Sequence, residues 1–97
     1  MIRHTVVFKL SYPNNSPEER EFLQAANQLR TIPGVQQFEC LIQTSKKNHF
    51  DFGISMEFES QRLYDGYSGH AIHLQFIQDY WLKYVEDFLE IDYQPLS

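Results

Sequence analysis

From position 50 to position 59 the chain alternates without a break. Phe50, Phe52, Ile54, Met56 and Phe58 fall on one side of an extended backbone, and Asp51, Gly53, Ser55, Glu57 and Glu59 on the other. Successive side chains of a strand point to opposite faces of its sheet, so this run predicts a strand with one dry face and one wetter face. Three more runs alternate. Over Ile2 to Leu10, Ile2, His4, Val6, Phe8 and Leu10 oppose Arg3, Thr5, Val7 and Lys9. Over Val35 to Gln43, Phe38, Cys40 and Ile42 oppose Leu41, and Cys40 is expected to be a buried strand thiol. Over Phe88 to Tyr93, Leu89, Ile91 and Tyr93 oppose Phe88, Glu90 and Asp92. A sheet with one dry face needs a covering layer, and the intervening segments supply it.

Ser16-Pro17-Glu18-Glu19 combines an N-cap serine, a first-turn proline and a capping-box glutamate, which predicts a helix start. Phe22, Ala25, Ala26 and Leu29 then recur at helical spacing, leaving Glu18, Glu21, Gln24 and Gln28 mostly to water. Ile32-Pro33-Gly34 ends that helix. Ser60 caps a short second helix through Leu63, Tyr64 and Tyr67, and Ser68-Gly69 separates it from a longer one over about Ala71 to Tyr84. There His73, Phe76, Ile77, Tyr80, Trp81 and Tyr84 share an inward stripe.

The resulting order, βαββααβ, predicts an α+β fold: a four-stranded antiparallel sheet of ferredoxin-like type with its helices on one face, in a single domain over residues 1–97. The second face is left bare. Val7 and Leu41 make it only partly polar, so two copies are expected to close sheet against sheet into a homodimeric α/β barrel.

Function classes narrow by charge and cysteine count. The net charge is −5 and the one basic run is Lys46-Lys47, so neither nucleic acid nor an anionic membrane surface is an expected partner. The single Cys40 permits neither an internal disulfide nor a cysteine-based metal site. No apolar stretch has membrane-spanning length and Met1 leads straight into strand-like sequence, so the expected location is the cytoplasm.

Two histidines sit on apolar stripes, His4 on the first strand and His73 on the last helix, with Tyr67 nearby. Together they suggest a polar cluster in an aromatic interior. The expected pocket adds Phe22, Ile54, Met56 and Phe76 as lining residues, with His70 as a further ligand contact, around an unidentified small molecule. Such a cluster can also be plain packing, with each histidine satisfied by a neighbour or by backbone. His70 and His73 lie three apart on a helix start, but only Asp65 stands near enough in sequence to complete a metal shell. Neither a metal nor a cofactor is therefore expected. His49 is read as surface.

The opening Met1-Ile2-Arg3-His4-Thr5-Val6-Val7-Phe8-Lys9-Leu10, the helical Tyr67-x-x-His70-x-x-His73-x-x-Phe76 and the closing Asp92-Tyr93-x-Pro95 together resemble the stress-responsive A/B barrel (Dabb) family across nearly the whole chain. The resemblance implies a dimeric α/β barrel, a shape shared by members most of which have no assigned reaction. One branch, the plant olivetolic acid cyclase, closes a polyketide by aldol condensation. Its tyrosine and histidine match Tyr67 and His73, and a first-strand histidine matches His4. The resemblance thus implies His73 as a general base, Tyr67 as an electrophilic donor and His4 beside them, in a cofactor-free lyase or cyclase. A non-catalytic structural or stress-response dimer is the competing expectation. The chain departs from the family at Ala71, where His-Pro-x-His is common, and at Ala26, where the cyclase branch carries a bulky aromatic.

Overall fold

A computed structural model describes residues 1–97. Its strands are β1 (Ile2–Leu10), β2 (Gln36–Ile42), β3 (Phe52–Phe58) and β4 (Val85–Tyr93), joined antiparallel in the order β2-β3-β1-β4. The two crossovers each skip a strand, which is the ferredoxin-like topology. β4 begins earlier than its alternation predicts, because a bulge at Lys9/Leu10 lets Val85 pair with Leu10.

Helix α1 (Pro17–Asn27) starts as its caps dictate. Ser16 Oγ accepts the Glu19 amide at 3.1 Å, and the Glu19 carboxylate accepts the Asn15 amide. A 3₁₀ turn, Gln28–Thr31, tightens its end, and Gly34 then takes φ +92°, where a side chain would be strained and its Cβ would stand 3.3 Å from Leu63. Helix α2 (Gln61–Ser68) is capped by Ser60, whose Oγ accepts the Leu63 amide. Helix α3 (Ala71–Phe76) runs on through a wide π-helical turn, Ile77–Trp81, into a last turn at Leu82–Tyr84. A regular helix was the expectation over 71–84. The wider turn seats the Trp81 ring edge-on against both Phe8 and Phe88, with centroids 5.4 Å apart in each pair.

All helices lie on one face. Beneath them Ile2, His4, Val6, Phe8 and Leu10 of β1 alternate perfectly into the interior with Ile54, Met56 and Phe58 of β3. Phe8, Phe22 and Phe58 are wholly buried. Cys40 corrects the expectation of a buried thiol: it is exposed, because β2 is an outer strand.

β4 behaves differently. Its register pairs Phe88 with Phe8, Glu90 with Val6 and Asp92 with His4, so its more polar set lies on the helix face. Leu89, Ile91 and Tyr93 therefore lie on the bare face, 50%, 40% and 52% exposed. There a row formed by Leu41, Gly53, Val7 and Leu89 crosses all four strands. Gly53 at its centre lowers the middle of the face, and Arg3 pairs with Glu57 at one end at 2.8 Å. No helix is long and apolar enough to cross a membrane.

Candidate functional site

A cavity of about 330 Å³ opens between the β4 side of the sheet and the helical segment 71–84. Its floor is His4 and Val6 from β1, Ile54 and Met56 from β3, and Phe88 and Glu90 from β4, while His73, Phe76, Ile77, Trp81 and Leu82 roof it and Tyr67 closes one end. Ten of its 13 lining residues are hydrophobic, so the polar groups are few enough to orient a ligand instead of merely solvating it.

His4 is buried at the floor. Its Nδ1 lies 2.6 Å from Asp92 Oδ1, the cross-strand neighbour that the register places beside it. The Tyr64 hydroxyl donates to Asp92 Oδ2 at 2.8 Å and lies 2.9 Å from the same Nδ1. A carboxylate can only accept, so Asp92 requires a proton on Nδ1 and leaves Nε2 as the ring nitrogen open to another partner. Burial and the hydrogen bond to Asp92 push the Tyr64 hydroxyl well above the usual phenol range, which keeps it a donor.

His73 is set by backbone. Its Nδ1 lies 2.9 Å from the Ser68 carbonyl, which accepts and so holds the proton there, again leaving Nε2 as the lone pair. Burial lowers its pKa, opposed by the bond to Ser68 and by the Glu90 charge and assisted by the nearby His4. The Tyr67 ring packs against it with centroids 4.6 Å apart and lies 6.0 Å from that of His4. Burial, reinforced by the Glu90 charge, raises the Tyr67 hydroxyl far above its ordinary pKa.

Neither His4 Nε2 nor the Tyr67 hydroxyl has a protein partner, although the two residues are 6% and 2% exposed. No fully buried side-chain nitrogen or oxygen in the molecule is left without one. Those two atoms therefore reach open space, and the open space both residues line is the cavity. A bound molecule would meet the Tyr67 hydroxyl, His4 Nε2, the Nε2 lone pair of His73 and the Glu90 carboxylate.

The structure thus brings together His4, Ile54, Met56, Tyr67, His73 and Phe76, as the helical and strand stripes suggested. Two expected contacts lie elsewhere. Phe22 is wholly buried in the closed core against Phe8 and Phe76, so its ring is spent on packing. His70 is the N-cap of α3, and its Nδ1 accepts the Ile72 amide at 3.1 Å, which turns it away from the cavity. Ala26 is fully buried without lining the cavity. Sequence reading missed Asp92, Tyr64, Glu90 and Trp81. The polar set of β4 was the available signal, since Glu90 and Asp92 share a strand face with Phe88. His4, Glu90 and Asp92 each offer a donor atom within 4.8 Å of the others, so a grouping with metal-ligand chemistry stands here and not at His70 and His73.

The model of the stress responsive A/B barrel domain family matches residues 2–95. A crystal structure of a Dabb family protein with a ferredoxin-like fold, from Mesorhizobium loti, is 49% identical, with 99% of this chain and 97% of that chain covered and a TM-score of 0.97. The hydroxynitrile lyase of Passiflora edulis is 13% identical over 99% of this chain and 94% of that chain, with a TM-score of 0.84. A dimeric ferredoxin-like protein of unknown function from Thermobifida fusca is 15% identical over 97% and 90%, with a TM-score of 0.77. The last two likenesses concern the fold alone. No curated protein matches the chain.

Proposed function

The chain belongs to the stress responsive A/B barrel domain family, and on that premise we propose that it is a homodimer whose protomers each bind one small, mainly apolar molecule in the His4, Tyr67 and His73 cavity. The observation that carries this reading is the pair of unpartnered polar atoms, His4 Nε2 and the Tyr67 hydroxyl, opening into an otherwise apolar space. Evenly packed cores do not keep such groups without partners, since each costs about 1–3 kcal/mol of desolvation. The homodimer is supported by the exposed Leu41, Leu89, Ile91 and Tyr93 on one sheet face and by fold neighbours described as dimeric.

The test is a set of ketones, alcohols and alkanes of about six to ten carbon atoms, sized to the cavity, followed by amide chemical shifts on titration. Saturable shifts clustered at residues 54, 56, 67, 73 and 76 are expected, with oxygen-bearing members binding more tightly than alkanes. Tyr67→Phe should erase that difference. Flat titrations throughout would end the reading.

A second reading, cofactor-free acid–base catalysis of the lyase or cyclase type, is favoured by the tautomer of His73. With Nδ1 committed to Ser68, Nε2 is free to remove a proton alpha to a carbonyl, while the Tyr67 hydroxyl steadies the enolate oxygen. The proton taken up on His73 Nε2 then passes to the product oxygen or carbon, so the imidazole ends neutral as it began, with His4 held in place beside it by Asp92. This reading requires that His73→Ala and Tyr67→Phe abolish turnover while binding persists, whatever the substrate. Unchanged turnover in either variant would remove it and leave the binding reading standing.

A further inference from the structure

We propose that the molecule bound in this cavity is a small amine held as its ammonium ion, with Glu90 as counter-ion and the aromatic walls around its apolar body; the inference rests on reading the cavity as a binding site. Glu90 interrupts an apolar floor. In its cross-strand row it neighbours Val6 and then Ile54, and it is the one acidic or basic side chain, histidines aside, among the lining residues.

No lysine or arginine pairs with its charge. Arg3 is joined to Glu57 and Lys9 to Asp51, while His4 and His49 are hydrogen-bonded to Asp92 and Asp87. Arg3 and Lys9 belong to the other face of β1, and Lys83, though next to Leu82, does not line the cavity. Asp92, by contrast, is engaged twice, by His4 and by Tyr64. The Glu90 and Asp92 carboxylates come within 4.8 Å of each other and of His4, so negative charge gathers on one side of the cavity. His73 makes no hydrogen bond or ion pair to either carboxylate, its Nδ1 being bonded to the Ser68 carbonyl.

A ligand entering here meets an uncompensated carboxylate beside Tyr67, Phe76, Trp81 and Phe88. Ring faces attract a cation as a carboxylate does, and the two together form a cage suited to an ammonium group on an apolar body. An anion in the same place would face the Glu90 carboxylate, with no lysine or arginine in the lining. The His73 lone pair and the Tyr67 hydroxyl remain available for the polar atoms of the same molecule.

Three probes of one shape separate the possibilities: 2-phenylethylamine, 2-phenylethanol and 3-phenylpropionate, measured by calorimetry at neutral pH in EDTA, which keeps divalent metals away from His4, Glu90 and Asp92. The amine should bind about tenfold more tightly than the alcohol, and the propionate more weakly than either. In Glu90→Gln, at an exposed position where folding should be unaffected, the ratio of amine to alcohol affinity should fall to about twofold or less. If the alcohol binds as well as the amine, or the preference survives Glu90→Gln, the inference is wrong and the cavity reading stands. If none of the three binds, both fall.

Discussion

The two faces of this sheet are drawn from alternate residues of the same strands, yet they end in opposite conditions. On the helix face, Phe8, Met56 and Phe58 are closed off by the chain's own helices, and the space left over is the cavity. On the other face, Leu41, Leu89, Ile91 and Tyr93 stay open to solvent, with nothing in the protomer to cover them. β4 turns the usual assignment round. It turns Glu90 and Asp92 to the helix side of the sheet, where both stay partly open to solvent, and its aliphatic residues to the bare side, so one edge strand furnishes the polar side of the cavity and an exposed apolar stripe. The lesson is that a strand's apolar side need not face its own protomer's helices, and on β4 that side is the one the proposed dimer would cover.

The comparison breaks most readily in the closed core. Phe22→Ala should cost about 3–5 kcal/mol in denaturant unfolding, because a wholly buried ring leaves a void that its neighbours Phe8 and Phe76 cannot fill, and the protein that remains folded should keep its oligomeric state. A loss below about 1 kcal/mol would mean the helix layer is loosely packed.

On the bare face the expected result is the reverse. Leu89→Asp combined with Ile91→Asp should raise the dimer dissociation constant by about a hundredfold or more, read by sedimentation, while each protomer keeps its helix-face packing. The concentration dependence of thermal unfolding should disappear with it. An unchanged dimer would show that this face is not the contact surface.

Asp92→Asn sharpens the contrast inside β4 itself. It weakens the charge-assisted bonds to His4 and Tyr64 and should cost about 1–2 kcal/mol of stability, with any ligand affinity falling as the His4 ring loses its fixed tautomer. An equal loss of stability with ligand affinity intact would limit Asp92 to a structural part.

The smallest effect belongs to His73. Burial depresses its folded pKa below 6.5 while the unfolded chain protonates near that value. The unfolded state therefore binds more protons between the two values, and stability should decline as pH falls below about 6.5, flattening once the folded pKa is passed. His73→Leu should remove that part of the slope and melt at or slightly above wild type at pH 6, since a polar group kept for a ligand tends to cost stability. A markedly lower midpoint for His73→Leu would identify a packing histidine and undercut the cavity reading.

Much of this was legible in advance for local reasons. The β3 alternation from Phe52 to Phe58, the Ser16 and Ser60 caps and the inward stripe through His73, Phe76 and Trp81 are all set by neighbours within a turn or two. His4 and His73 read as inward-facing on the same grounds. Phe22 and His70 misled because periodicity distinguishes inside from outside but not cavity wall from closed core, nor a ligand contact from a helix cap. Cys40 misled because alternation on β2 carries no sign that β2 is an outer strand.

What the sequence by itself determined is the set of elements, their order and the two stripes each strand offers, because dihedral preference, capping and side-chain period act over a few residues. Only the tertiary structure decided which stripe of β4 meets the helices, and with it the contact between His4 and Asp92, 88 residues apart. The reason is physical. β4 can present either side to the sheet's helix face, and the choice is made by its register against β1 and the layer that packs above, energies that appear only when the distant segments have met.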